Sequence, residues 1–255
     1  MLKKKIGLRS AILAASACFT SAVFAAPLQI LTFQKAQLSS SEQKQLCAQA
    51  KALCEQRGQW RSLKTADQSL WLLSGGDIAR FHASAAGFKL SQQWHLDISD
   101  QAQGASNGQF IFPKLFPMAQ NRYAVAVIES FSEMYSGGGA GIERASFYEL
   151  KDAGNAHQFI QNYPFSLNRM IRACFSEQDY ASAKGNCHDE DRLSVDIRPV
   201  KPMLWQFRYR YNLSVSPASD SGEKSYQGSR NLNIDLNRAP AQPDIPEAWN
   251  YAGME

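Results

Sequence analysis

Once its N-terminus is set aside, this sequence has no net charge. Residues 1–25 carry Lys3, Lys4, Lys5 and Arg9 and no acidic side chain, so the formal +4 of the 255-residue chain belongs to them. The remainder balances 23 basic against 23 acidic residues. A balanced chain has no bulk field to draw it onto nucleic acid or anionic lipid. Long apolar runs are also missing. The one at residues 11–24 falls short of the ~18–20 residues of a membrane helix. Nothing after Ala26 comes close, so no transmembrane segment is expected in the mature chain. The four histidines, His82, His95, His157 and His188, lie singly, with no nucleophile–base spacing. No C-x-x-C pair is present, which removes the usual redox and zinc spacings. No period recurs along the chain, which argues against a propeller or solenoid.

The leader has a basic start, an apolar stretch and Val23-Phe24-Ala25, with small residues where a signal peptidase reads them. Cleavage after Ala25 is expected, because cleavage one residue later would place Pro27, with its fixed φ and missing N–H, after the scissile bond. Ala15-Ser16-Ala17 before Cys18 offers a competing lipoprotein reading, in which a lipidated Cys18 is retained as an anchor. Either route places the chain in the envelope of a bacterium, with periplasmic or secreted localisation favoured.

Export gives the four remaining cysteines their meaning: Cys47, Cys54, Cys174 and Cys187 read as two disulfides in an oxidising compartment. Local pairing, Cys47 with Cys54 and Cys174 with Cys187, is the simplest connectivity, but it meets an obstacle. Ser39-x-x-Glu42 is a capping box, and Leu46, Cys47, Ala50, Leu53 and Cys54 fall on one stripe of a helix at about 40–57. Seven residues of unbroken helix span ~10.5 Å, beyond the ~7 Å Cα limit of a disulfide. Either the helix breaks, or both cysteines reach the 174–187 segment.

Beyond that helix the chain reads as strands. Residues 70–73 and 78–82 flank a Ser-Gly-Gly-Asp turn. Residues 123–128 are apolar on both faces, as in a central strand covered on both sides. The clearest signal is residues 204–215, where Trp205, Phe207, Tyr209, Tyr211, Leu213 and Val215 alternate with polar residues. A helix is expected near 166–174, and a polar loop from there to His188. The fold class is mainly β: an antiparallel barrel or sandwich of consecutive hairpins with one N-terminal helix. One β-rich domain over residues 26–237 is followed by an extended, proline-containing tail, 238–255.

Few motifs carry chemistry. Gly104-Ala105-Ser106-Asn107-Gly108 matches G-x-S-x-G, but a polar loop precedes it and a strand follows, so the strained strand-to-helix elbow cannot form. In Cys187-His188-Asp189-Glu190-Asp191, Asp189 and Asp191 are candidate calcium ligands; the preferred reading is a solvated acidic turn, since calcium gathers roughly six or more oxygens. Glu129, with Glu133 and Glu143 nearby, is the candidate acid for a hydrolase of envelope glycans. Arg198, Arg208 and Arg210 could form a basic strip, with Asp196 and Asp235 expected as cross-strand partners. The glycine run after Ser136 lacks the Lys-Ser/Thr of a P-loop and precedes a strand, so no cofactor is expected.

That run instead suits insertion into a partner's groove, with Tyr135, Ser136, Gly137, Gly138 and Gly139 as the binding candidates. Over residues 136–141 it is similar to the Ser-Gly loop by which small periplasmic lysozyme inhibitors occlude an active site; the rest of their pattern is absent. The expected function is non-catalytic, a binding or inhibitory module with another envelope protein as its partner. The alternatives are the Glu129 hydrolase and a lipid-anchored structural accessory. Oligomeric state and partner identity are not legible in the sequence.

Overall fold

The structure is a computed structural model that describes residues 28–55, 60–85, 87–98 and 106–250. The leader, Cys18, Gly104, Ala105 and Tyr251 lie outside the described residues. The chain is mainly β, in two antiparallel sheets, with two short α-helices.

The smaller sheet has the order β2 (Gln34–Lys35), β3 (Arg61–Lys64), β4 (Leu70–Ser74), β5 (Asp77–Ser84) and β6 (Gly87–His95). Every residue of β4 is buried because both faces of this sheet are covered. Leu70 and Leu72 pack with α1 (Ser40–Gln49), while Trp71 and Leu73 face the larger sheet. The free edge of β6 is blocked by a side chain: Gln49 donates from Nε2 to the Phe88 carbonyl and accepts at Oε1 from the Leu90 N–H. An amide in the geometry of a missing strand protects an edge that could otherwise recruit another chain.

The larger sheet holds β1 (Leu31–Thr32), β8 (Lys114–Ala119), β9 (Arg122–Tyr135), β10 (Gly138–Leu150), β11 (Ala156–Arg172), β12 (His188–Lys201), β13 (Leu204–Ser214) and β14 (Tyr226–Asp235) in that order, with β7 (Ser106–Ile111) also pairing with β9. The period-2 reading of β13 holds: Trp205, Phe207, Tyr209 and Tyr211 are buried on one face. So does the two-sided strand: Ala124, Ala126 and Ile128 join one core, Val125 and Val127 the other. The sheet curls until Trp205 Nε1 on β13 donates to the Pro117 carbonyl on β8 at 2.8 Å, but the sheets are not closed into a barrel. The tail helps cover the interior instead. Tyr163 donates to the Pro240 carbonyl, and Trp249 stacks on Tyr211 at 5.4 Å.

Both local disulfides are present, with Cα–Cα distances of 5.8 Å for Cys47–Cys54 and 5.1 Å for Cys174–Cys187. The capping box at Ser39 forms, yet the expected helix over 40–57 is shorter. It stops at Gln49, Ala50 takes a non-helical φ of −132°, and a 3-10 turn over Ala52–Cys54 swings Cys54 back. The expected helix at 166–174 is replaced by the end of β11, and α2 (Glu177–Ala183) forms where a loop was expected.

The Cys174–Cys187 bridge closes a segment 13 residues apart in sequence around α2. Replacing both cysteines with serine is expected to lower stability by about 3 kcal/mol, the loop-entropy scale for that length. The urea midpoint of the variant against the oxidised parent checks this; an unchanged midpoint would show that α2 is held by its packing alone.

Candidate functional site

The β9–β10 hairpin turns through two residues, Ser136 and Gly137, since Tyr135 is already in register with Gly138. The glycine run is therefore not a free loop, which corrects the sequence expectation. Gly138 and Gly139 are strand residues paired on both sides, with Tyr135 and Met134 on β9 and with Ile171 and Met170 on β11. Composition pointed to a loop, but a ladder on each side supplies every backbone partner and overrides it.

The glycines here make room. A Cβ at Gly138, whose φ is +155°, would stand 1.9 Å from the Met170 carbonyl oxygen. At Gly139 it would stand 2.7 Å from Met134 Sδ, so the Met134 side chain lies across the bare backbone. In register, Met134, Gly139 and Met170 form one row on one face; Tyr135, Gly138 and Ile171 form the next row on the other.

Arg172 ties this sheet end to α2. Its N–H donates to the Gly137 carbonyl, its guanidinium lies 5.3 Å from the centroid of the Phe175 ring, and it donates to the Tyr180 hydroxyl at 3.0 Å. α2 is fixed by its own capping box: the Phe175 N–H, then the Ser176 side chain and N–H, hold the Asp179 carboxyl below its ordinary pKa. The result is a set of exposed apolar side chains on both faces of one sheet end and on the adjoining α2 segment. Of the nine exposed large hydrophobic side chains among the described residues, six are here: Met134, Tyr135, Met170, Ile171, Phe175 and Tyr180, with Met134 83% exposed. Apolar exposure is concentrated at this end of the sheet and not scattered singly over the surface.

The other candidates are placed elsewhere. Glu129 stands opposite Arg144 and Gln109 in the ladder, and Glu143 accepts a hydrogen bond from Ser166. Asp189 accepts from the Ser216 N–H and the Ser219 hydroxyl, whereas Asp191 is buried in an ion pair with Arg169. Glu143, Asp189 and Asp191 are engaged within the protein, and among the described residues no three His, Cys, Asp or Glu side chains gather as a metal site. Ser106 opens β7 and its hydroxyl accepts from the Gly108 N–H, so it presents no elbow. Asp196 on β12 stands opposite Arg208 on β13, as expected, and pairs with Arg198 of its own strand at 2.7 Å, while Arg208 donates to Asn231. The expected cross-strand partner Asp235 stands opposite Leu204 instead.

Of these exposed side chains, the sequence pattern singles out only those of the hairpin and not Met170, Ile171, Phe175 or Tyr180. The expectation of a helix over 166–174 hid the row that Met170 makes with Gly139. The one available signal was a pair of large apolar residues just before a cysteine-closed segment. No family model matches this chain, and no curated protein or solved structure is found to be similar to it.

Proposed function

We propose that this chain is an exported envelope protein, periplasmic or secreted after removal of residues 1–25, that acts by binding and not by chemistry. It captures or inhibits another envelope protein through the far end of the β9–β10 hairpin, with residues 135–139 and the side chains around them seated in an apolar groove of the partner. In this reading the two packed sheets serve as a sandwich-like scaffold that holds the hairpin out. The observation that carries it is the gathering of Met134, Tyr135, Met170, Ile171, Phe175 and Tyr180 at one end of the larger sheet. Aromatic and methionine side chains on a pre-ordered surface are what interface hot spots use, and methionine adapts its shape to a partner groove.

The disulfides fit this placement, since they persist in oxidising compartments. The test is affinity capture from a native envelope extract with the disulfides intact. Met134→Glu, at a largely exposed position, is expected to cut capture at least tenfold while shifting stability by no more than about 0.5 kcal/mol. Undiminished capture by Met134→Glu paired with Met170→Glu would overturn the proposal. Glycan turnover lost in Glu129→Gln would replace it with the hydrolase.

A further inference from the structure

From β9 to β12 one face of the larger sheet is core, with Ala140, Ile142, Leu167 and Leu193 buried on it. The opposite face is polar for most of its length. Its rows read Ser130, Glu143, Ser166 and Ser194, then Ser132, Gly141, Asn168 and Arg192. The next row breaks the pattern, with Met134 and Met170 on either side of Gly139, and His188 follows at the start of β12. Neither methionine serves a core, since Met134 is 83% exposed and Met170 40%. We propose that Met134, Met170 and His188 form a site for a soft monovalent metal ion, Cu(I).

The absent side chain at Gly139 is what lets the two sulfurs meet. Met134 Sδ already lies across that glycine, 2.7 Å from where its Cβ would stand. Met170 is directly opposite Gly139 on the other side, which puts its Cβ about 4.5–5.5 Å from the same point. A thioether arm with three rotatable bonds covers that gap, so both sulfurs can reach one ion above the bare backbone. His188 stands opposite Arg172, two residues on from Met170 and on the same face. A cross-strand diagonal of this kind spans about 7–8 Å, within reach of a ring and a long side chain. Among the described residues the His188 ring has no hydrogen bond or ion pair to give up.

The ligand set decides the metal. Thioethers are soft and select Cu(I), and imidazole suits copper as well, whereas calcium, magnesium and manganese are held by oxygen. The four cysteines among the described residues are closed in disulfides, so no thiolate competes for a soft ion. The surrounding charge then favours an ion of one positive charge. The three ligands bring no negative charge. Glu190, opposite Met170, is already paired with Arg192 at 2.8 Å, and Arg172, opposite His188, is cationic. A divalent ion would meet twice the repulsion from that guanidinium with no carboxylate ligand to offset it. Arg172 itself is held by the Cys174 carbonyl and the Tyr180 hydroxyl, which draws it toward α2.

The backbone that carries the ligands is fixed before any ion arrives. Gly139 is paired on both sides, and the Arg172 N–H donates to the Gly137 carbonyl. Just beyond Met170 and His188, the Cys174–Cys187 bridge clamps the end of β11 to the start of β12, and the Ala173 N–H donates to the Cys187 carbonyl at 2.8 Å. Ligands set on adjacent paired strands keep their spacing better than ligands on loops. The site needs no partner protein and uses one face of the hairpin end only.

The test is titration of the oxidised protein with Ag(I), a soft monovalent ion that keeps its oxidation state in air, in chloride-free buffer, read by NMR of protein labelled at the methionine methyls. Saturable binding is expected to shift the Met134 and Met170 methyl signals and to leave those of Met203 and the buried Met118 in place. Met134→Leu and Met170→Leu, which keep the apolar bulk and remove the sulfur, should each weaken binding at least tenfold, and His188→Gln should weaken it too. Cu(I) supplied without oxygen should displace Ag(I), and Zn(II) should not. The titration contains no partner protein, so its outcome and that of the capture experiment are read separately. No Ag(I) bound, binding that survives both leucine variants, Ag(I) not displaced by Cu(I), or displacement by Zn(II) would each overturn the proposal.

Discussion

Phe147→Ala is expected to remove about 3–5 kcal/mol of stability, the scale for truncating a fully buried phenylalanine. Phe147 has no exposed surface, and its ring lies 5.4 Å from Phe116, 5.4 Å from Trp205, 5.9 Å from Phe207 and 6.4 Å from Phe159. Those four rings come from β8, β13 and β11, so one side chain on β10 joins the curled sheet across its interior. Deleting the ring loses both its transfer free energy and the contacts of four neighbours that cannot all close the gap. The loss is large against a typical total of about 5–15 kcal/mol. Phe147→Leu, which refills most of the volume, should cost less than half as much. Phe175→Ala, at 72% exposure, should stay within about 0.5 kcal/mol. Urea unfolding of the three variants checks the order. A loss in Phe147→Ala no larger than that in Phe175→Ala would mean the interior of the large sheet is not packed as described.

How much of this was legible beforehand depended on whether a pattern was local. The β13 face could be read because burial of one side forces period 2 on a single stretch, and the buried β9 run because both of its faces meet apolar layers. The cysteine pairing is not fixed by the sequence because it hinges on one residue: Ala50 leaves the helical region, and nothing in Leu46-Cys47-Ala48-Gln49-Ala50 announces a break. At Gly138 and Gly139 the local signal misled. Glycine usually marks a loop, but here it clears space for Met134 and for the Met170 carbonyl, neighbours that exist only once β11 is paired. Leu167, Met170, Ile171 and Cys174 happen to fall at helical spacing, and the ladder with β10 and β12 outweighed that pattern.

Three buried tyrosines inside the large sheet should make the protein unfold in alkali. Burial pushes the Tyr163 phenol up to about 12 and the Tyr211 phenol also to about 12, the latter helped by the charge and hydrogen bonding of Asp191. Burial, then Tyr163 beside it, raises Tyr209 further. In each case the fold favours the neutral form, whereas the unfolded chain ionises at about pH 10. Below that pH neither state releases the protons and stability is unaffected. Above it the unfolded state sheds protons that the folded state keeps, and stability falls by about 1.4 kcal/mol per pH unit for each tyrosine until the folded groups ionise as well. Tyr163 and Tyr211 both contribute to this fall between roughly pH 10 and 12. Tyr209→Phe isolates the effect. Among the described residues the Tyr209 hydroxyl has no hydrogen-bond partner, so its removal should leave stability at neutral pH unchanged or slightly higher while making the alkaline fall shallower. Urea midpoints measured from neutral pH to about pH 12, alongside phenolate absorbance, provide the check. Midpoints that stay level through this range, or phenolate appearing before unfolding, would show that water reaches these hydroxyls and that the tail anchored through Pro240 and Trp249 does not keep the interior dry.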